Sequence, residues 1–97
     1  MRALTSDLAN GELRPYFLWD EDLSVHELRA ALAVPGHRRD QLLGKLLREA
    51  RDSDVWLFVT PEEVARALPQ LARRLGRRRP FWEFLIAGWR ADGLLTA

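Results

Sequence analysis

Residues 54–59 read Asp54-Val55-Trp56-Leu57-Phe58-Val59, and the way they fold decides the class of the whole chain. β-Branched and aromatic residues dominate the segment, as in a buried strand. A strand needs a neighbour, and no second stretch of the chain has comparable character. Standing alone, it would leave its backbone donors and acceptors unpaired. The segment is therefore expected to be a short helix with Asp54 as N-cap, and the chain an all-α domain.

The flanking sequence agrees. Upstream, from His37 to about Arg51, the residues Leu42, Leu43, Leu46, Leu47 and Ala50 make one broad apolar helix face. Arg38, Arg39, Lys45, Arg48 and Arg51 lie mostly elsewhere on the wheel. Downstream, Thr60 and Glu63 form a capping box, Pro61 takes the first helical position, and Val59 with Val64 forms a hydrophobic staple. Val64, Leu68, Leu71 and Leu75 share a face of that helix. Pro69 predicts a break or kink near Leu68, and Gly76 a helix stop.

An earlier helix opens at Ser24 with the same grammar, Ser24 to Glu27 as capping box and Leu23 with Leu28 as staple. Val25, Leu28 and Leu32 form its buried stripe, and Val34-Pro35-Gly36 ends it. The carboxylates Asp20, Glu21 and Asp22 precede it, where the helix macrodipole favours negative charge. Before them, Pro15 biases Arg14 away from helix, and Tyr16, Phe17 and Trp19 read as rings that plug the core from an irregular segment, with an aromatic anchor inserted into a partner as the alternative. Residues 1–14 are weakly patterned. Leu4 and Leu8 suggest a short helix or a weakly ordered N-terminal arm. The last helix is expected from Pro80 to about Asp92 with Gly93 beyond it, its face formed by Phe81, Phe84, Leu85, Gly88 and Trp89, with Trp82 and Ile86 beside it. The architecture is thus one domain over residues 1–97 with four to six short helices, the consecutive helices of 54–75 resembling a helix-turn-helix pair.

Composition limits the function classes. Ninety-seven residues, 47% of them hydrophobic, suit one domain with one core. The absence of cysteine excludes disulfides and thiolate metal sites. No apolar run approaches the ~18 residues of a membrane span, and Asp7 and Asn10 interrupt any signal-peptide core, so a cytoplasmic location without membrane contact is expected. The formal charge of +1 hides asymmetry. Residues 1–35 hold three arginines against six carboxylates, and residues 36–97 twelve bases against eight. Fourteen of the fifteen bases are arginine, the planar donor fork suited to carboxylates, phosphates and aromatic faces.

Catalytic chemistry finds little footing. His26 and His37 have no cysteine or patterned carboxylate beside them, and His26-Glu27 is not followed by the x-x-H of a zinc motif. A nucleophile with base and orienter cannot be assembled by spacing. Gly76-Arg77-Arg78-Arg79 lacks a phosphate-loop pattern. No enzyme activity, cofactor or metal is expected.

Contact chemistry concentrates between Leu71 and Trp89. Arg73, Arg74, Arg77, Arg78 and Arg79 crowd into seven positions, and Trp82 and Trp89 follow. Three readings stand: a solvated connector paired with the acidic N-terminal third, phosphate contact with DNA, and docking to an acidic protein surface. Arginine and tryptophan are enriched in interface hot spots, and a wide exposed aromatic face marks contact sites. Both favour docking. The modest pI, about 8.4, counts against DNA.

Certain words of the sequence resemble those of a known family. Pro15-Tyr16-Phe17-x-Trp19-Asp20, then the run Leu46 to Trp56, then Glu62 and Glu63, then an arginine-rich link into Phe81-Trp82, resemble short bacterial proteins that open with P-Y-[LF]-x-W-D and close with an N-F-W-like motif. The resemblance spans residues 15–87. Such proteins are typically encoded beside nucleotidyltransferase toxins of the abortive-infection type. The family link before F-W often reads L-S-x-K-T, where this chain has Leu75-Gly76-Arg77-Arg78-Arg79. The resemblance implies an antitoxin, or accessory partner, binding a cognate nucleotidyltransferase-like toxin. Arg73, Arg74, Arg77, Arg78, Arg79, Trp82 and Trp89 are the expected contact residues. The alternative is a DNA-binding regulator using residues 54–79, and self-association through the C-terminal aromatic face is a third arrangement.

Overall fold

In the computed structural model, which describes residues 1–95, five α-helices follow one another. They are α1 (Val25–Leu32), α2 (His37–Glu49), α3 (Asp52–Val55), α4 (Pro61–Leu71) and α5 (Arg79–Ala91). Two 3-10 turns, Ala72–Arg74 and Gly76–Arg78, carry the chain from α4 to α5. The all-α class is borne out.

Local chemistry places α1 and α4 as the sequence requires. The Ser24 hydroxyl accepts from the Glu27 amide while the Glu27 carboxylate accepts from the Ser24 amide, and Thr60 with Glu63 repeats the arrangement. Each box satisfies two backbone donors that a helix start leaves open. Leu42, Leu43, Leu46, Leu47 and Ala50 are all buried, and one apolar cluster joins them to Val25, Leu28, Val55, Val64, Leu71, Leu75 and Ile86.

The decisive segment 54–59 is helical only at its start. Arg51, not Asp54, is the N-cap, and α3 makes a single turn before residues 56–58 continue as turns. Asp54 is drawn away from capping because its carboxylate accepts from the Tyr16 hydroxyl at 2.6 Å.

The N-terminal segment departs from expectation more sharply. It is neither helix nor arm. Leu4–Thr5 (β1) pairs in parallel with Arg14–Pro15 (β2), and Leu8 is buried between them in sequence. Arg14 holds this loop together. Its buried guanidinium donates to the carbonyls of Arg2, Leu18, Trp19 and Glu21 at 2.6–3.3 Å. Buried charge needs such hydrogen bonding, and four oxygens spread over twenty residues supply it. Phe17 plugs the core as expected, whereas Trp19 points outward and is 62% exposed.

Pro69 does not break the helix near Leu68, and α4 continues through it to Leu71. Proline removes one ladder bond, to the carbonyl four residues back, and Arg90 reaches that Ala65 carbonyl at 3.5 Å. Gly76 takes a left-handed φ of 53°, a conformation open to glycine, and so lets the chain change direction between the two 3-10 turns. Helix α5 starts at Arg79, one residue before Pro80. It ends in a Schellman motif, with Leu94 N–H donating to Trp89 at 2.8 Å, Gly93 N–H to Arg90 at 3.1 Å, and Gly93 at φ 74°.

Candidate functional site

The five arginines of the 73–79 cluster do not form one patch. A 3-10 turn advances about three residues per revolution, so its side chains fan out differently from those of an α-helix. Arg73 and Arg74 face a cleft against α2. Arg77 is exposed. Arg78 lies over the rings of Phe81 at 5.0 Å and Trp82 at 5.8 Å, a cation–π arrangement. Arg79 pairs with Glu83 one helical turn on, at 3.3 Å. Among the described residues no ion pair joins this cluster to the acidic N-terminal third; Asp20 and Glu21 are taken by Lys45 and Arg38, and Glu27 by Arg2.

The two tryptophans named as contact residues are placed differently. Trp82 is 0% exposed and has no surface to offer. Its indole stands edge-on to Trp56, and its N–H donates to the Leu47 carbonyl. Trp89 is half-buried and leans on Trp56 with ring centroids 5.5 Å apart. The expected face of α5 is therefore rotated: Trp82 and Ile86 are its buried residues, while Phe84 is 80% and Phe81 38% exposed. The exposed apolar surface of α5 is carried by the phenylalanines, next to the arginines that open the helix.

The cleft that receives Arg73 and Arg74 is an open groove of about 750 Å³. Its walls are the loop residues Asp20 and Glu21, the α2 residues Arg38, Gln41, Gly44, Lys45 and Arg48, and the 3-10 residues Arg73, Arg74 and Gly76. Lys45 donates to Asp20 at 2.6 Å and Glu21 at 3.0 Å, and Arg38 to Glu21 at 2.6 Å. The Lys45 hydrogen bond holds the Asp20 carboxyl below its ordinary value. For Glu21, burial works against ionisation, but the bonds from Arg38 and Lys45 outweigh it and its pKa also falls. Burial likewise opposes the Lys45 ammonium, and the two carboxylates override it, raising its pKa. Arg48 pairs with Glu49 and also donates to the Arg74 carbonyl at 3.1 Å, tying the 3-10 turn to α2.

Sequence reasoning missed this cleft, although a signal for it was present. Arg38, Gln41, Lys45 and Arg48 stand at i, i+3, i+7 and i+10, a polar stripe at helical spacing. The exposure of Phe84 left no comparable trace, because α5 is apolar around most of its wheel.

The histidines stand apart from both surfaces. A Cβ added at Gly11 would meet the exposed His26 ring, so the ring lies against that glycine, and His37 opens α2. Among the described residues no group of three or more His, Asp or Glu side chains is placed to hold a metal ion. No helix there is long and apolar enough to cross a membrane. Helix α4 presents no basic reading face. It leads with Glu62 and Glu63, buries Val64, Ala65, Ala67, Leu68 and Leu71, and carries one arginine, Arg66.

Fold and site together define a small all-α domain with an exposed basic–aromatic surface and a separate cation-lined cleft. Comparison with protein-family models, curated proteins and solved structures finds no match.

Proposed function

We propose that this chain is a non-enzymatic binding protein of the antitoxin kind, which restrains a cognate nucleotidyltransferase-type toxin by protein–protein contact. The observation that carries the docking surface is the exposure of Phe84 and Phe81 on the first turns of α5, with Arg78 lying over the Phe81 ring and Arg77 exposed just before it. Exposed aromatic area beside arginine is the composition of interface hot spots, and a large apolar side chain left in water favours a cover. The class of partner rests on the motif resemblance carried by Pro15–Asp20 and Phe81-Trp82. In this reading the arginines meet toxin carboxylates, including those that would otherwise hold its metal, and the two phenylalanines supply the buried area.

Regulation of DNA through residues 54–79 draws less support. The acidic first turn of α4 would face phosphates with like charge, and binding would have to fall steeply with salt.

Affinity purification of the chain from its own host, with nuclease in the lysate and mass spectrometry of the companions, tests the proposal. A stoichiometric nucleotidyltransferase-like protein is expected, and the doubly substituted Arg77→Glu, Phe84→Ala chain should fold normally by circular dichroism and fail to retain it. Recovery of nucleic acid alone, once nuclease is omitted, would replace the proposal with the regulator reading. A purified chain of twice the expected mass that retains no companion would replace it with self-association.

A further inference from the structure

We infer that the cleft between α2 and the 3-10 turns is a binding site for a compact polyphosphate group, separate from the docking surface on α5. Five cationic side chains line it against two carboxylates, and Glu49 pairs with one of the five, so two positive charges remain in excess. The way these charges pair is more telling than the count. Lys45 and Arg38 are engaged by Asp20 and Glu21, and Arg48 by Glu49. Arg73 and Arg74 have no carboxylate partner among the described residues.

Both are neighbours on one tight turn, and that turn is fixed to α2 by the Arg48 bond to the Arg74 carbonyl. The stem of Arg74 passes over Gly44, where a Cβ would meet its carbons at 3.5 and 3.6 Å. The backbone beneath the two arginines is thus held in place before any ligand arrives, which lowers the ordering cost of binding. Guanidinium forks bind phosphate oxygens in pairs.

The same features favour a short phosphate chain over a nucleic-acid backbone. A nucleic-acid track needs cations spaced along an extended groove, whereas here the two unpaired arginines come from one turn and line one cleft, with Asp20 and Glu21 in its wall. Positive charge confined to one cleft calls for a compact set of anionic oxygens, as in a di- or triphosphate. The phosphate chain can come free or attached to a nucleoside, and the site reads only the chain.

Calorimetric titration of the full chain with inorganic tripolyphosphate, a nucleoside triphosphate, citrate and a single-stranded oligoribonucleotide tests the inference at fixed moderate salt. Tripolyphosphate should bind at a single site, and Arg73→Gln, Arg74→Gln together should weaken it about tenfold or more, as expected when two charge-assisted contacts are lost. Arg66→Gln, exposed on α4 and lining a different cleft, should change it less than about twofold, as a surface charge outside the site does in a screened solution. Equal affinity for the nucleoside triphosphate supports a site that reads the chain, and a free polyphosphate is then as good a ligand as a nucleotide. No saturable binding of tripolyphosphate would overturn the inference. So would equal binding of citrate, an equal loss in Arg66→Gln, or tighter binding of the oligoribonucleotide through the same two arginines. None of these outcomes depends on whether a protein partner docks on α5.

Discussion

The indole nitrogen of Trp82 donates to the backbone carbonyl of Leu47 at 2.8 Å, in the interior of the protein. The last carbonyls of a helix have no donor within it. Continuation of α2 would have given the Leu47 carbonyl the amide of Arg51, but α2 stops at Glu49, and that amide donates instead to the Tyr16 hydroxyl at 2.8 Å. Two aromatic side chains from opposite ends of the chain thus seal one helix terminus, and Trp82 binds α5 to α2 while doing so.

Replacing Trp82 by Phe keeps most of the buried ring and deletes the donor. The Leu47 carbonyl is then left unsatisfied in the core, which costs about 1–3 kcal/mol. Denaturant unfolding at neutral pH should show the unfolding free energy falling by that amount, with a lower midpoint and an unchanged slope. A variant as stable as the parent would mean that water reaches Leu47 and that Trp82 is held by packing alone.

Pro69 and Arg90 form a second compensating pair. Proline inside α4 deprives the Ala65 carbonyl of its ladder donor, and the Arg90 guanidinium takes the vacant place at 3.5 Å. Pro69→Ala restores the amide and should stabilise the fold by about 1–2 kcal/mol, the helix-interior penalty of proline less the entropy it removes from the unfolded chain. Arg90→Gln should destabilise the parent and leave the Pro69→Ala variant nearly unchanged. A double-mutant cycle reads this coupling directly, and additive effects would sever the two residues.

These pairs show what was legible in the sequence and what was not. Both capping boxes, the leucine face of α2 and the Gly93 terminus depend on residues within one or two turns of each other, and the sequence displays them fully. The orientation of α5 depends on a carbonyl thirty-five residues away. Its wheel carries Phe81, Trp82, Phe84, Leu85, Ile86 and Trp89, so apolar periodicity alone could not choose Trp82 as the inward residue or leave Phe84 outside. Arg14 is a similar case: four carbonyls from an irregular loop hold its charge, and no spacing rule announces them. The arginine cluster was legible as a cluster, but its division among cleft, ring faces and helix pair follows from 3-10 geometry that composition does not reveal.

The Glu27 carboxyl is held down at about 2 by its bond to Arg2, with the Ser24 capping bonds adding to it. Its ordinary value lies near 4.5. A carboxyl with a depressed folded-state pKa stabilises the native protein at pH values above the ordinary one, and that stabilisation is lost as pH falls through the folded value. Glu27→Gln preserves the capping geometry, since glutamine can serve in the same box, and removes the charge. Thermal melts should place the variant below the parent at pH 6–7, with the gap narrowing from about pH 4.5 downward and closing near pH 2. A gap that persists unchanged in acid would show that the charge of Glu27 contributes nothing.

Gly44 lies buried within α2, where glycine costs about 1 kcal/mol relative to alanine. A Cβ there would meet only the aliphatic stem of Arg74, at ordinary contact distances of 3.5 and 3.6 Å. Gly44→Ala is therefore expected to stabilise the fold by roughly 0.5–1 kcal/mol, since helix propensity improves and no atom has to move. Because the new methyl would touch the stem of Arg74 rather than its guanidinium, the tripolyphosphate affinity of the cleft should survive the change. Calorimetry on the same preparation checks both statements. Loss of stability would show that Arg74 needs closer access to the α2 backbone than a methyl allows. Loss of affinity with gain in stability would show that the stem shifts to make room and takes its charge out of the cleft.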